Sequence, residues 1–166
     1  ICGFGRTGNM FATETYDLKP DMMTMAKALS SAYLPISAVL INDEVFQTIS
    51  ANSNKVGVFG HGFTYSGHPV AAAVALETLN LYEERNIIGH VRDVTGRFQD
   101  RINAYMDHSF VGETRAIGLI GAVQMAKDKS SRTHFDPSDG VAPFIVARAQ
   151  EHGLILRPLP NDTVAF

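Results

Sequence analysis

The sequence predicts an α/β chain with two architectural parts, the end of an α/β domain over about the first 70 residues and a small α+β domain from about residue 105. Three observations support this prediction. An apolar strand candidate is followed by a Gly-rich loop, two consecutive amphipathic helices come next, and short strands with one further helix fill the remainder. The two helices are expected to connect the parts.

The first part is predicted to contain little helix before its strand. In order, its expected elements are a Gly- and Thr-rich loop over 1–20, a short amphipathic segment within 21–35, a strand over 36–42, a short helix from 43 to about 50 and a Gly-rich loop over 52–69. The strand is predicted because "ISAVLIN" is apolar nearly throughout. A loop as long as the last one is usually either functional or disordered.

The clearest helix is predicted over 69–85, where Pro69 suits the first helical position. Its expected apolar face comprises Val70, Ala73, Val74, Leu81 and their neighbours. A second helix is predicted over 87–106 from the helical spacing of Ile88, Val91, Phe98, Ile102 and Tyr105. The remaining expected elements are two strands or one bent strand over 111–126 around Gly118, a helix over 139–153 that stops at Gly153, and short strands over 154–160 and 163–166.

Composition limits the class of protein. Hydrophobic residues make up 45% of the 166 and charged residues 19%, which is enough apolar material for a sizeable core. The net charge of −3 and the lack of a basic stripe argue against nucleic-acid binding. The single cysteine, Cys2, excludes an internal disulfide, fits a reducing compartment and is expected to be a small buried residue.

The two ends of the sequence and its apolar runs predict an internal piece of a longer cytoplasmic protein. The sequence starts Ile-Cys-Gly rather than with Met, and it stops within the strand expected over 163–166. No signal peptide is recognisable, and no apolar run is long enough to cross a bilayer, so no membrane association is expected.

The stretch "GFGRTG" over residues 3–8 fits the dinucleotide-binding pattern G-x-G-x-x-G. That motif must open a helix, with an acidic residue about twenty positions further on. The sequence after Gly8 has no helical stripe, and Glu14 and Asp17 come too early. A Gly-rich turn near an active site or interface is therefore favoured, and a nicotinamide-binding oxidoreductase is the less favoured alternative.

Lys27 lies in the apolar run "MMTMAKALS". Spacing alone favours a lysine that extends its ammonium group to the surface over one held in a pocket. Burial would disfavour the charged form, and a neutral amine can attack an aldehyde to form a Schiff base. The sequence pattern by itself leaves both interpretations open.

Three blocks, "ICGFGRTGNMFA", "KPDMMTMAKALSSAYLPISAV" and "GHGFTYSGHPVAAAVALE", resemble successive signatures of the class III aminotransferases, which depend on pyridoxal 5'-phosphate and include omega-amino acid:pyruvate transaminases. The resemblance extends over the whole chain. It implies a partial pyridoxal-phosphate-dependent transferase fold of type I. The implied divisions are the C-terminal part of the large domain over 1–68, connecting helices over 69–106 and part of the small domain over 107–166.

The resemblance also assigns roles. Lys27 matches the Schiff-base lysine in the P-D-x-x-T-x-A-K-x-L block and would be the catalytic residue. Thr64 matches the threonine that binds the cofactor phosphate across a homodimer interface, and Phe63 would border that phosphate. Arg157 matches the mobile arginine that binds a substrate carboxylate. Tyr33 and Pro35 match the stretch after the lysine and would have a structural role.

Each of these roles has an alternative. Thr64 could cap the helix that starts near Pro69, and Arg157 could be an ordinary surface arginine. His61 and His68 flank Thr64, but no further His or Cys cluster supports them, so no metal site is expected.

The activity implied by the resemblance is transfer of an amino group from an amine or omega-amino acid to a keto acid, with pyruvate favoured. The family's aspartate that pairs with the pyridine nitrogen is expected upstream of Ile1, so the fragment alone is expected to be inactive. A racemase, aminomutase or decarboxylase on the same fold remains an alternative, and the donor is not determined.

Overall fold

The computed structural model describes residues 2–166, which form two compact units. The first unit comprises Ile1–Gly5 and Asn9–Ile88, and the second comprises Arg6–Gly8 and Gly89–Phe166. Each unit therefore contains a short piece of the N-terminal Gly-rich stretch. Within residues 2–166 there is no helix with the length and apolar character needed to cross a membrane.

The first unit contains a two-stranded antiparallel sheet and three helices. Its elements are α1 (Ala12–Thr15), β1 (Met22–Met25), a 3₁₀ turn (Lys27–Leu29), β2 (Ala38–Ile41), α2 (Asp43–Val56) and α3 (Pro69–Glu84). Strand β1 pairs with β2 from Met22 opposite Ile41 to Met25 opposite Ala38. Beyond this pairing, Asn42 donates through its backbone N–H to Asp21 O (2.9 Å) and through Nδ2 to Asp21 Oδ1 (2.8 Å).

Asn42 also starts helix α2, because its side-chain oxygen accepts a hydrogen bond from Val45 N at 2.9 Å. The helix continues to Val56, so the prediction that it ends near residue 50 was wrong. The prediction that the following loop starts at residue 52 was wrong for the same reason. Residues 52–56 are helical, and the Gly-rich loop covers only 57–68. The strand over 36–42 is confirmed in its central part, Ala38–Ile41.

Helix α3 is confirmed over Pro69–Glu84, but its buried face differs from the predicted one. The buried residues are Ala71, Ala75 and Thr78, and the next position of this stripe is Tyr82, which is half-buried. Val70 and Ala73, predicted to face the core, are exposed. The first two turns of α3 are apolar on all sides, so hydrophobic periodicity could not select the face.

The second unit contains a four-stranded antiparallel sheet with the strand order β3-β4-β6-β5, together with helices. Its elements are α4 (Ile87–Ala104, of which Ile87 and Ile88 belong to the first unit), a 3₁₀ turn (Tyr105–Asp107), β3 (Val111–Ile117), β4 (Ile120–Met125), a 3₁₀ turn (Pro137–Asp139), α5 (Val141–Glu151), β5 (Arg157–Leu159) and β6 (Thr163–Ala165). The prediction of two strands around Gly118 is confirmed. Strand β5 is shorter than predicted, because residues 154–156 lie outside it.

The core of the second unit lies where α4 covers one face of this sheet. Ile102 of α4 clusters with Val111, Val123 and Met125, and Phe98 packs against them. Gly121 of β4 permits this approach, since a Cβ there would lie 3.0 Å from Ile102 and 3.1 Å from Phe98. Tyr105, predicted to continue the apolar face of α4, lies beyond the helix and is 46% exposed.

The N-terminal residues 6–8 belong to the second unit because they pack on the β3–β4 turn. Gly118 has φ of +52°, and a Cβ there would lie 2.4 Å from Arg6 O and 2.5 Å from Thr7 Cα. Leu119 N donates to Arg6 O at 2.9 Å, and Arg92 Nε donates to Gly8 O at 2.5 Å. The second half of the "GFGRTG" stretch is therefore held through hydrogen bonds to its backbone carbonyl groups.

A surface turn in the second unit provides a test of local electrostatics. Hydrogen bonds from the Ser130 hydroxyl (2.7 Å) and Ser130 N–H (2.8 Å) hold the pKa of Asp128 at about 2, below its usual 3.8. Because this pKa is lowered in the folded protein, the ionised Asp128 stabilises the folded state at pH values above the ordinary pKa of an aspartate. This stabilisation is lost as the pH falls through about 2.

We expect Ser130→Ala to move the pKa of Asp128 upward toward 3.8, since the Ser130 side chain is the largest cause of the shift. A carbon-13 titration of the Asp128 carboxyl group in the full-length protein measures this change. Ser138→Ala is the matched control, because the Ser138 hydroxyl donates to Asp136 instead. An unchanged titration of Asp128 in Ser130→Ala would contradict the assignment.

Candidate functional site

Lys27 lies two residues after the end of strand β1 and is the first residue of the 3₁₀ turn Lys27–Leu29. Its backbone has φ of +55°, in the left-handed region that a lysine rarely adopts. Its side chain is exposed and makes no hydrogen bond or ion pair with another residue in the described range 2–166. The amine is therefore accessible to a ligand.

Thr64 and Phe63 lie in the exposed loop over 57–68, directly before α3. A turn at this point is closed by Ser66 N donating to Phe63 O (2.9 Å) and Phe63 N donating to Ser66 Oγ (3.0 Å). Thr64 does not cap α3, because the N-cap is His68 and no side chain caps it, so that alternative is wrong. The Thr64 hydroxyl is exposed on a defined turn.

Arg157 belongs to the second unit and is the first residue of β5, which is an edge strand of the sheet. Its partner in the register is Ala165 of β6. The residue is exposed, and its guanidinium forms no ion pair within residues 2–166. An accessible guanidinium can bind a carboxylate through two parallel hydrogen bonds.

The structure thus brings Lys27, Phe63 and Thr64 into the first unit and Arg157 into the second. No hydrogen bond joins Lys27 to Phe63 or Thr64 within the described chain. Their chemistry fits pyridoxal phosphate, since an accessible primary amine can form an imine with its aldehyde and an exposed hydroxyl can donate to its phosphate.

His61 and His68 flank Thr64 in the exposed loop over 57–68. Across residues 2–166 there is no group of three or more His, Cys, Asp or Glu side chains placed to hold a metal ion. The His61 ring instead contacts Phe59 and Phe63, with ring centroids 5.8 and 5.4 Å apart.

The N-terminal glycines do not form a dinucleotide site. Residues 9–11 separate Gly8 from α1, which has only four residues, so no helix opens at the motif. Gly5 is buried with φ of +92°, and a Cβ there would lie 3.4 Å from Ile88 Cγ1. The glycines shape a backbone loop.

The second unit also contains an apolar cavity of about 530 Å³. Side chains from α5 and from the sheet line it, among them Val123, Phe144, Ile145 and Val164. Arg157 is not part of this lining, although Leu156 beside it is.

Two residues near Lys27 escaped the sequence analysis. Ser30 is almost fully buried (1% exposed), and its hydroxyl donates to Leu34 O at 2.6 Å. The Tyr82 hydroxyl donates to Ala28 O at 3.1 Å from a position 54 residues away in the sequence. The contact between Tyr82 and Ala28 did have one signal in the sequence. The spacing along α3 places Tyr82 on the inward face, in line with the small buried residues Ala71, Ala75 and Thr78.

Comparison with known proteins gives a match over the whole chain. The family model described as aminotransferase class-III matches residues 1–166. The chain is 49% identical over 164 residues to gamma aminobutyrate transaminase 1, mitochondrial, of Solanum lycopersicum, a match that covers 99% of this chain and 32% of the relative.

Solved structures agree with this match. A structure described as a transaminase with L-ala is 49% identical, with a TM-score of 0.94, and the match covers 100% of this chain and 39% of that chain. The omega transaminase from Pseudomonas jessenii in complex with PMP is 45% identical, with a TM-score of 0.93, over 100% of this chain and 36% of that chain. The chain thus spans about a third of the length of these proteins.

Proposed function

Because the chain belongs to the class-III aminotransferase family, we propose that the full-length protein is a pyridoxal-phosphate-dependent aminotransferase. It moves an amino group from an amine or omega-amino acid to a keto acid, with pyruvate as acceptor. The observation that carries the proposal is the accessible Lys27 amine, which lies on a left-handed turn at the end of β1 within the family's lysine block. The 166-residue chain alone is expected to be inactive.

Lys27 is the proposed catalytic residue. When bound, pyridoxal phosphate supplies an aldehyde for imine formation and an electron-withdrawing ring that makes the proton on the substrate carbon easier to remove. Lys27 Nζ holds the cofactor covalently between turnovers. After displacement by the donor amine, Nζ would take the proton from the substrate carbon as general base and, as general acid, would deliver it to the carbon derived from the cofactor's aldehyde.

Thr64 and Phe63 are proposed to form part of the phosphate site. The exposed Thr64 hydroxyl donates to a phosphate oxygen, and the Phe63 ring, 75% exposed, borders the same group. In a homodimer, Thr64 binds the phosphate held by the partner subunit. The exposure of the whole loop over 57–68 supports this proposal, since residues that contribute to a neighbouring subunit's site must be accessible in the isolated chain.

Arg157 is proposed to bind the carboxylate of the keto acid. We expect Arg157→Ala to raise the KM for pyruvate by about tenfold to a hundredfold, the usual worth of hydrogen bonds to a charged group, with a smaller effect on donors that lack a carboxylate. Steady-state kinetics of the full-length enzyme measure both effects. Arg148→Ala is the matched control, because Arg148 is an exposed arginine paired with Glu151. An unchanged KM for pyruvate would remove the role of Arg157.

One structural relative and one sequence relative support the choice of substrates to test. One structure is described as a transaminase with L-ala, and loss of the amino group from L-alanine by transamination gives pyruvate. The tomato relative is named for gamma-aminobutyrate, so 4-aminobutyrate is the first donor to test. Beta-alanine, taurine and simple amines complete the set.

The experiment is a visible absorbance spectrum of the purified full-length protein, followed by a donor screen in which alanine formed from pyruvate is measured. Cofactor absorbance together with alanine formation supports the proposal. Cofactor absorbance with racemisation, amino-group migration or decarboxylation of the amino acid, but no transfer, identifies another type I enzyme. A nicotinamide-dependent absorbance change without cofactor colour would favour the oxidoreductase alternative.

The location proposed for the full-length protein is the cytoplasm, in keeping with the presence of a single cysteine, Cys2, in these 166 residues. The tomato relative is named as mitochondrial, which makes an organelle the competing location. Fractionation of cells that express the full-length protein separates the two.

A further inference from the structure

Residues 27–34 form a segment that we call the lysine turn, and part of its backbone is held in an unfavourable conformation. Lys27, Ser31 and Ala32 have φ values of +55°, +48° and +63°. Side chains with a Cβ disfavour this left-handed region, so such residues persist only where the surrounding contacts fix them. The contacts that fix this turn therefore determine where the Lys27 side chain starts.

Some of these contacts come from within the turn. Lys27 O accepts hydrogen bonds from Ser30 N (3.1 Å) and Ala32 N (3.3 Å), and the buried Ser30 hydroxyl donates to Leu34 O (2.6 Å). These bonds close the turn on itself but do not attach it to the rest of the unit.

Tyr82 of α3 attaches the turn from outside. Its hydroxyl donates to Ala28 O, the carbonyl directly after Lys27, at 3.1 Å. Ala28 O also accepts from Ser31 N at 3.2 Å, so loss of the Tyr82 hydroxyl would not leave this carbonyl unpaired. Removing the hydroxyl should thus loosen the turn without unfolding it.

The N-terminal "GFGRTG" stretch, through Phe4, holds the Tyr82 ring. Phe4 stacks on Tyr82, with centroids 6.1 Å apart and an angle of 22° between the planes, and meets Phe11 edge-on at 5.5 Å. Phe4 itself has φ of +57°, and its N–H donates to Met10 O at 2.5 Å. This stretch therefore presents one aromatic ring to the tyrosine that anchors the lysine turn.

We propose that Tyr82, supported by Phe4, is a positioning residue for Lys27. This inference rests on the proposed role of Lys27 as the residue that binds the cofactor covalently. Tyr82 acts by fixing the backbone directly after Lys27. A fixed backbone restricts the positions that Lys27 Nζ can occupy. Its contribution is to the rate at which the amine attains the reacting geometry, because a misplaced catalytic group slows the chemical step.

The test uses the full-length enzyme with Tyr82→Phe. Apoenzyme is mixed with saturating pyridoxal phosphate, and the rate of the visible absorbance change that reports imine formation is measured, followed by kcat and KM. We expect the rate of imine formation and kcat to fall by about two- to tenfold, the range that corresponds to one hydrogen bond, with KM unchanged and the melting temperature lowered by no more than a few degrees. Tyr16→Phe, at a 59% exposed tyrosine of the same unit, is the matched control and should match the wild type.

Phe4→Leu supplies a second variant, which leaves the Tyr82 hydroxyl in place and removes only its stacked ring. We expect a smaller slowing than in Tyr82→Phe, and little additional effect when both changes are combined, because both act through one hydrogen bond. If Tyr82→Phe fails to fold, the rate of imine formation in Phe4→Leu decides the question.

An unchanged rate of imine formation in Tyr82→Phe at saturating cofactor would overturn the inference. If the melting temperature falls while that rate stays unchanged, the role of Tyr82 is purely structural. Borohydride reduction and peptide mapping of the wild type separate this failure from failure of the proposed function. If the reduced cofactor is found on Lys27 but Tyr82→Phe has no effect on the rate, only the positioning role is rejected. If the reduced cofactor is found on another lysine, the proposed role of Lys27 is rejected.

Discussion

Lys27→Ala in the full-length protein is expected to abolish amino transfer, with a fall in kcat of at least about a thousandfold, since it removes the residue that we propose as both the covalent attachment and the general base. The visible absorbance of the covalently bound cofactor should disappear, and borohydride treatment should leave the protein unlabelled. Stopped assays of alanine formation and mass spectrometry of the reduced protein measure these losses.

Lys19→Ala is the matched control, because Lys19 is an exposed lysine in the loop before β1 of the same unit. It should retain wild-type absorbance and turnover. Turnover retained in Lys27→Ala would end the assignment of Lys27, and label retained in that variant would show that another lysine binds the cofactor.

The second large effect is on stability. Gly118→Ala is expected to lower the free energy of unfolding by about 2–5 kcal/mol. A left-handed residue with a Cβ costs roughly 1–2 kcal/mol, and overpacking against a rigid neighbour costs a further 1–3 kcal/mol. The clash is with backbone, since the new Cβ would lie 2.4 Å from Arg6 O and 2.5 Å from Thr7 Cα. Thermal unfolding of the full-length protein measures the loss.

Gly140→Ala separates the two causes. Gly140 has φ of +59°, close to the +52° of Gly118, but a Cβ there would have no atom within 4 Å. Its melting temperature should fall by much less than that of Gly118→Ala. Equal losses in the two variants would mean that the contact with residues 6–7 contributes nothing to stability.

The sequence predicted the long helices and the β3–β4 hairpin because these elements carry local signals. Pro69 marks the start of α3, a period of 3.6 residues marks α4, and Gly118 marks the turn between two apolar runs. Strand β1 was not predicted, since "MMTM" lacks β-branched residues apart from Thr24 and becomes a strand by pairing with β2. The continuation of α2 through the polar stretch "NSNK" likewise had no local signal.

For the candidate site, the sequence identified the chemical groups but not what holds them. Lys27 and Thr64 were found from motif blocks, and the structure leaves both accessible. The hydrogen bond from Tyr82 to Ala28 joins residues 54 positions apart, and the contact between Phe4 and Tyr82 spans still more of the chain. Contacts of this kind depend on tertiary packing, which no local pattern encodes.

The hydrogen bond between Leu119 and Arg6 also has a consequence for the order in which the protein folds. The two residues are separated by more than a hundred positions, so on the ribosome residues 6–8 emerge first and wait for their partner. At about 5–20 residues per second, that delay is of the order of ten seconds. Residues 111–125 can form their hairpin locally, but the turn at Gly118 is completed only by a segment made long before it.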